Sequence, residues 1–127
     1  MSAVVVDTSA WIDFFAGRPA GRLEAGLRLG AVMVPPIVVA ELLSGVKSRD
    51  RAAIIELLTD LEIADCPLPH WIAVGDLRAT LARRGLTVST PDAHVAQCAL
   101  DRDALLLTGD AIFTRIAAAT ALRVATA

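Results

Sequence analysis

Four acidic residues in this 127-residue chain stand apart from every other formal charge. Asp7 is the only one from Met1 to Ile12, Glu41 from Leu29 to Val46, Asp92 from Leu86 to Leu100, and Asp110 from Ala104 to Thr114. Most of the other ten acids sit within a few residues of another charge, as Asp50 does between Arg49 and Arg51. A carboxylate among apolar neighbours is costly to desolvate unless something positive compensates it. Carboxylate oxygens suit hard cations such as Mg²⁺ or Mn²⁺, whereas Zn²⁺ prefers imidazole and thiolate. His70 and His94 are the only imidazoles, and Cys66 and Cys98 lie far apart with no C-x-x-C. The sequence therefore reads against zinc, and the two cysteines are expected as reduced, buried thiols.

The acids need elements that deliver them to one place. Val4-Val5-Val6, with Ala3 before them, reads as a strand buried on both faces and ending at Asp7. Thr8 or Ser9 is expected to N-cap a helix over Ala10–Phe15. Ala104–Thr108 reads as another buried strand, delivering Asp110 just past Gly109. Asp92 falls in a first helical turn after Ser89-Thr90-Pro91, a hydroxyl cap with Pro at the first position, and the macrodipole favours an anion there. Glu41 lies about five residues into Ile37–Val46, a helix apolar almost all round and hence expected to be buried. His94, two residues past Asp92 on a helix, points roughly 200° away and is left out of the site. Asp101 and Asp103 flank Arg102 and read as a solvated turn at the opposite end of the sheet.

The remaining pattern alternates helix and strand. Ala20–Leu29 suggests a helix and Ala31–Val34 a buried strand. Arg49–Leu61 gives an amphipathic helix with Ile54, Ile55, Leu57 and Leu58 inward, then Glu62–Cys66 a weak edge strand. Pro67–Arg84 carries a helix with apolar positions Trp71, Ile72, Val74, Leu77 and Leu81. The Asp92 helix runs to about Leu100, Ala111–Ala119 forms the last helix, and Leu122–Val124 a terminal strand. Such alternation implies βαβ units and a parallel sheet with right-handed crossovers. In such a sheet, chemistry collects at the carboxyl ends of the strands, where Asp7 and Asp110 fall.

The length fits one domain, residues 1–127. Hydrophobic residues make up 55%, with 24 alanines, which suits closely packed helices and leaves apolar surface for a partner, a homodimer being expected. Twelve basic against fourteen acidic residues, net −2, argue against a protein that coats nucleic acid but not against an acidic, metal-satisfied phosphate site. No run reaches the roughly 18 apolar residues of a membrane span, and the N-terminus lacks a signal-peptide pattern, so a cytoplasmic location is expected.

Asp7-Thr8-Ser9-Ala10-Trp11-Ile12, Glu41-Leu42 with Gly45, Pro91-Asp92, and Leu107-Thr108-Gly109-Asp110 with Phe113 together resemble the PIN-domain ribonucleases. The likeness is strongest to the short VapC-type toxins of bacterial toxin–antitoxin pairs, and it spans nearly the whole chain in motif order. It implies an α/β fold with a five-stranded parallel sheet in the order 3-2-1-4-5, flanked by helices. Many relatives carry a further Asp two residues past the last acid, where this chain has Ile112, which counts against tight binding of a second ion.

The resemblance implies Mg²⁺-dependent endoribonuclease activity, with Mn²⁺ as a substitute. Asp7 and Asp92 would hold the ion; Glu41 and Asp110 would complete the cage, ligate a second ion or position water. Thr8, Ser9 and Thr108 are candidates to hydrogen-bond phosphate or ligand oxygens, or else serve as caps and turns. Arg115 is a candidate phosphate contact or else a solvated helix residue, and Trp11 reads as core. The implied partners are RNA and a cognate antitoxin, whose apolar segment enters a groove between the early helices and whose basic side chain reaches the acids. Two other phosphate-handling folds fit poorly. A haloacid-dehalogenase-like phosphatase needs an Asp where Ser9 stands, and a receiver domain needs an acid pair after strand one and a Lys after strand five. A non-catalytic RNA- or partner-binding version of the fold is the alternative that Mg²⁺-dependent cleavage separates.

Overall fold

The computed structural model describes residues 3–127, so the first two residues of the expected domain lie outside it. Val4, Val5 and Val6 form β1 (Val4–Val6), and all three are at most 3% exposed. Successive strand side chains point to opposite faces, so both faces of β1 are covered. Burying each valine contributes about 1.5–3 kcal/mol, enough to fix this strand at the centre of the sheet.

Around it lie β2 (Val32–Val34), β3 (Glu62–Ile63), β4 (Leu105–Leu107) and β5 (Arg123–Ala125), all paired in parallel in the order β3-β2-β1-β4-β5. This is the order that the family resemblance implies. Val6 pairs with Leu107, so Asp7 and Thr108 leave the sheet side by side at the point where the strand order reverses.

Seven helices complete the described chain: α1 (Thr8–Phe15), α2 (Gly21–Arg28), α3 (Pro36–Gly45), α4 (Ser48–Thr59), α5 (Leu68–Arg83), α6 (Thr90–Asp101) and α7 (Ala111–Ala119). Helix α2 packs on β1 and β2, α6 on β1 and β4, and α7 on β5. The closest approach is at Gly26, where an added Cβ would lie 2.9 Å from Val4 Cγ2 and 3.1 Å from Val32 Cγ2. Helix α6 is the central one, with Ala93, Val95, Ala96, Cys98 and Ala99 all buried and α3, α5 and α7 against it. Alanines there let neighbouring backbones approach.

Several local expectations are corrected. Helix α3 is not buried all round: Val38 and Leu42 are buried, while Ala40, Glu41, Ser44 and Gly45 are exposed. An apolar helix beside an open groove keeps one wet face. On α5, Trp71 and Ile72 are 44% and 55% exposed, and the inward stripe is His70, Val74, Leu77 and Leu81. The spacing 70-74-77-81 is the helical one, with an imidazole opening it. On α4, Ile54 and Leu58 are buried, whereas Ile55 and Leu57 are half-buried. Neither Thr8 nor Ser9 caps α1; the capping position is Asp7 itself, and both hydroxyls turn to carboxylates.

Candidate active site

Asp7 is 6% exposed at the mouth of the sheet, and its carboxylate is tied to neighbours on two elements. Ser9 Oγ donates to Asp7 Oδ2 at 2.8 Å, and Thr108 Oγ1 donates to the same oxygen at 3.0 Å. Two hydroxyl donors on one carboxylate oxygen satisfy an anion that burial alone would disfavour. The network continues outward: Gly109 N–H donates to Ser9 Oγ at 3.1 Å and Asp110 N–H to Thr108 Oγ1 at 2.9 Å. The hydroxyls therefore lock the β1–α1 junction to the β4–α7 loop.

Gly109 lies where a Cβ would sit 3.8 Å from both Ser9 Oγ and Asp13 Oδ2. This puts Asp13 beside the acid network, held by Arg18 Nη1 at 2.6 Å. Sequence reasoning passed Asp13 over; its place six residues past Asp7 on α1 is the signal that was available.

Asp110 is the N-cap of α7, its Oδ1 accepting from Ile112 N–H at 3.1 Å. That use leaves its second oxygen for a ligand. Glu41 is exposed on α3, and Thr8 Oγ1 donates to its Oε1 at 2.8 Å. Asp92 occupies the first turn of α6, where Ser89 Oγ, the true cap, accepts Asp92 N–H at 3.2 Å and Pro91 takes the second helical position.

Burial pushes the Asp92 carboxyl above its ordinary value, against the Ser89 hydroxyl, and Asp110, Asp7 and Glu41 push it further by repulsion. The other three isolated acids thus all lie near enough to Asp92 to repel its charge. A carboxylate set in which Asp7 and Glu41 accept hydroxyl hydrogen bonds and Asp92 is repelled by the other three suits a hydrated hard cation, which keeps several of its waters.

Arg115 is exposed on α7 and makes no hydrogen bond or ion pair among the described residues. Trp11 is fully buried beside Phe14 and Phe15, as core, with its Nε1 unpartnered. His94 does leave the acid crevice: it is 1% exposed and stacked under Trp71 at 4.7 Å. On that side of α6 the structure departs from the sequence reading. Cys66, His70, His94 and Cys98 converge, and Asp101, expected as a solvated turn residue, accepts from His70 Nδ1 at 2.7 Å.

These features define an open parallel α/β domain with an acidic crevice at the strand-order reversal. A model of the PIN domain matches residues 4–119, and the chain belongs to that family. A comparison with curated proteins finds no significant match. Solved structures are similar over essentially the whole chain. A chain of the DNA-bound VapBC complex of Salmonella typhimurium is 26% identical, with TM-score 0.83 and 99% and 98% of the two chains covered. A chain of DNA-bound VapBC2 from Rickettsia felis is 23% identical, with TM-score 0.79 and 98% of each chain covered. A chain of VapBC-5 from Mycobacterium tuberculosis, from the VapBC family of toxin–antitoxin systems, is 24% identical, with TM-score 0.71 and full coverage of both.

Proposed function

We propose that this chain is a VapC-type toxin, a Mg²⁺-dependent endoribonuclease that cleaves RNA and is silenced by a cognate antitoxin. The observation that carries the reading is the gathering of Asp7, Glu41 and Asp110 around Asp92 at the switch point of a PIN fold. Asp7 and Asp92 would hold the Mg²⁺ or Mn²⁺, with Glu41 and Asp110 completing the cage or positioning water. Bound there, the ion would lower the pKa of an attacking water and orient the scissile phosphate. The chain's own part is preorganisation. Ser9 and Thr108 fix one Asp7 oxygen, and Thr8 fixes Glu41, so the carboxylates need little reordering when RNA arrives. Thr8, Ser9 and Thr108 are already committed to acids or turns, which makes them positioning residues. Arg115 remains a candidate phosphate contact.

The antitoxin reading rests on the VapBC likeness and on a groove. A cavity of about 560 Å³ between α1, α3 and α4 is lined by Ile12, Phe15, Leu42 and Ile54, with Glu41 in its wall. An apolar antitoxin segment fits this lining, and an Arg or Lys on it would reach Glu41. Leu68 and Ile72, 70% and 55% exposed one turn apart on α5, offer apolar contact for a second copy of the chain. Among the described residues no helix is long and apolar enough to cross a membrane.

The test is cleavage of single-stranded RNA with Mg²⁺ or Mn²⁺, with EDTA, and with Asp7→Asn. Metal-dependent cuts leaving a 5′-phosphate, lost in the variant, support the proposal. EDTA-resistant cleavage or a 2′,3′-cyclic phosphate product refutes it, and binding without cleavage favours the non-catalytic alternative.

A further inference from the structure

On the side of α6 away from the acids, two pairs of soft ligands meet. Cys66, in the β3–α5 loop, lies four residues before His70 on α5, and His94 and Cys98 are four apart on α6. On α6 that spacing puts His94 and Cys98 on one face, one turn apart. One ligand atom from each of the four lies within 4.8 Å of the others. Cys66 Sγ and Cys98 Sγ are 4.0 Å apart, and His94 Nδ1 is 4.0 Å from Cys98 Sγ and 2.8 Å from His70 Nε2.

We infer that Cys66, His70, His94 and Cys98 form a structural Zn²⁺ site, closed by four protein ligands and separate from the acidic crevice. A tetrahedral Zn²⁺ with bonds of about 2.3 Å to sulfur and 2.0 Å to nitrogen spaces its ligands about 3.3–3.8 Å apart. The sulfur distances are already near that edge length. The His–His pair has closed to a hydrogen bond and must open by about half an ångström to admit the ion.

The donor set is the soft one that structural zinc prefers, two sulfurs and two nitrogens. On binding, the two thiols lose their protons to solvent, and two thiolates, two neutral imidazoles and Zn²⁺ sum to zero charge. A neutral cluster tolerates this interior, where His70, His94 and Cys98 are 4%, 1% and 0% exposed. Four carboxylates never could.

The surroundings also support ligation. Asp101 Oδ2 takes the Nδ1 proton of His70 at 2.7 Å, which leaves Nε2 as the free donor atom and orients the ring. Gln97 holds the other Asp101 oxygen at 2.7 Å. Trp71 Nε1 donates to the Cys66 carbonyl at 3.0 Å while its ring covers His94, so the loop bearing Cys66 is pinned and the site capped. Arg102 donates to the carbonyls of Cys98 and Asp65 and ties the same loop to α6. A core that needed only to fill space has no use for four ligands with an outer layer of hydrogen bonds. Nor is a disulfide made: the sulfurs are about twice the 2.05 Å bonding distance apart.

The ion would staple the β3–α5 loop and α5 to α6, whose first turn carries Asp92 two residues before His94. Its role is to hold that helix, leaving no open coordination position for substrate.

The decisive experiment uses untagged full-length protein purified under reducing conditions without chelator. Elemental analysis should give one zinc per chain, kept in Asp7→Asn/Asp92→Asn and lost in Cys66→Ser/Cys98→Ser. Replacement by Co²⁺ should give the strong visible bands of a tetrahedral site and thiolate-to-cobalt charge transfer, which carboxylates cannot produce. Chelator strong enough to strip zinc should lower the melting temperature by at least about 5 °C. Reduced, folded wild type that takes up no Co²⁺ with thiolate charge transfer overturns the inference. So does a spectrum that survives the double serine variant, or a mass two hydrogens short showing a Cys66–Cys98 disulfide in the cell. Should the serine variant fail to fold, the wild-type spectrum alone decides.

Discussion

Asp92 and His94 are two residues apart on α6 and belong to opposite chemistries. Asp92 faces a crevice of oxygen donors, half-buried and repelled by three other acids. His94 faces nitrogen and sulfur in a sealed interior, where burial first and then the nearby His70 lower its pKa to about 4. Both placements follow from the cost of burying charge. Carboxylates stay charged at neutral pH, so they collect where the sheet opens and water or a hydrated cation reaches them. Imidazole and thiol can be neutral, so they can be buried and exchange protons for a metal. One helix can therefore serve a catalytic crevice on one face and a structural cluster on the other.

The largest expected effect separates the two faces directly. Asp92→Asn should lower RNA cleavage by more than the roughly 10–100-fold that loss of an outer-shell metal partner costs. Its metal-free stability should equal or exceed that of wild type. Because the folded pKa of Asp92 is raised, the folded state holds the proton more tightly, and stability falls as pH rises through the window between the ordinary and raised values. Melting curves in EDTA should show that slope in wild type and lose it in the variant. Millimolar Mg²⁺ near 100 times its dissociation constant adds about 2.7 kcal/mol to wild type, and less to the variant. A variant that still cleaves and melts lower without metal would mean that Asp92 is a helix cap and no ligand.

Next in size is the hydroxyl network. Ser9→Ala with Thr108→Val leaves Asp7 nearly buried with neither donor on Oδ2. Each hydrogen bond to a charge contributes about 1.5–3 kcal/mol, so the double variant should melt measurably lower and cleave on the order of 10–100-fold more slowly. Unchanged cleavage would reduce both residues to turn-formers.

His94 gives the pH response of opposite sign. In reduced, metal-free protein its lowered pKa means the unfolded chain takes a proton first, below about 6.5. The stabilisation is therefore whole above about 6.5 and is lost as pH falls toward the folded value of about 4. His94→Gln should flatten that decline. An acid limb unchanged by the substitution would mean His94 is not what titrates there.

The sequence showed one of these faces far better than the other. The strands β1 and β4 and the isolation of Asp7, Glu41, Asp92 and Asp110 were legible because charge inside an apolar run is visible without coordinates, while the sheet order came from the family resemblance those motifs carry. What was hidden is pairing between distant segments. Cys66 and Cys98 carry no C-x-x-C, and His70 stands just outside the apolar set that begins at Trp71 and Ile72. Only α5 packing on α6 makes two i, i+4 pairs into one cluster. The stripe 70-74-77-81 was readable from periodicity, but tryptophan outweighed histidine as a marker of burial. Trp71 instead stays at the surface as a cover, with its N–H on the Cys66 carbonyl.

The smallest effect tests whether the two faces are mechanically independent. Gly26 lets α2 sit directly on β1 and β2, and a methyl there meets Val4 Cγ2 at 2.9 Å and Val32 Cγ2 at 3.1 Å. Overpacking of this kind costs about 1–3 kcal/mol, offset by up to about 1 kcal/mol of helix propensity gained from Gly to Ala. Gly26→Ala should thus melt only slightly lower. Val4 begins the strand that leads into Asp7, and α2 packs chiefly on β1 and β2. The strain should therefore reach the acids and spare the cysteines. The Mg²⁺-induced rise in melting temperature should shrink while the Co²⁺ thiolate spectrum stays as in wild type. If both change together, α6 transmits strain from the sheet to the cluster, and the two sites form one mechanical unit.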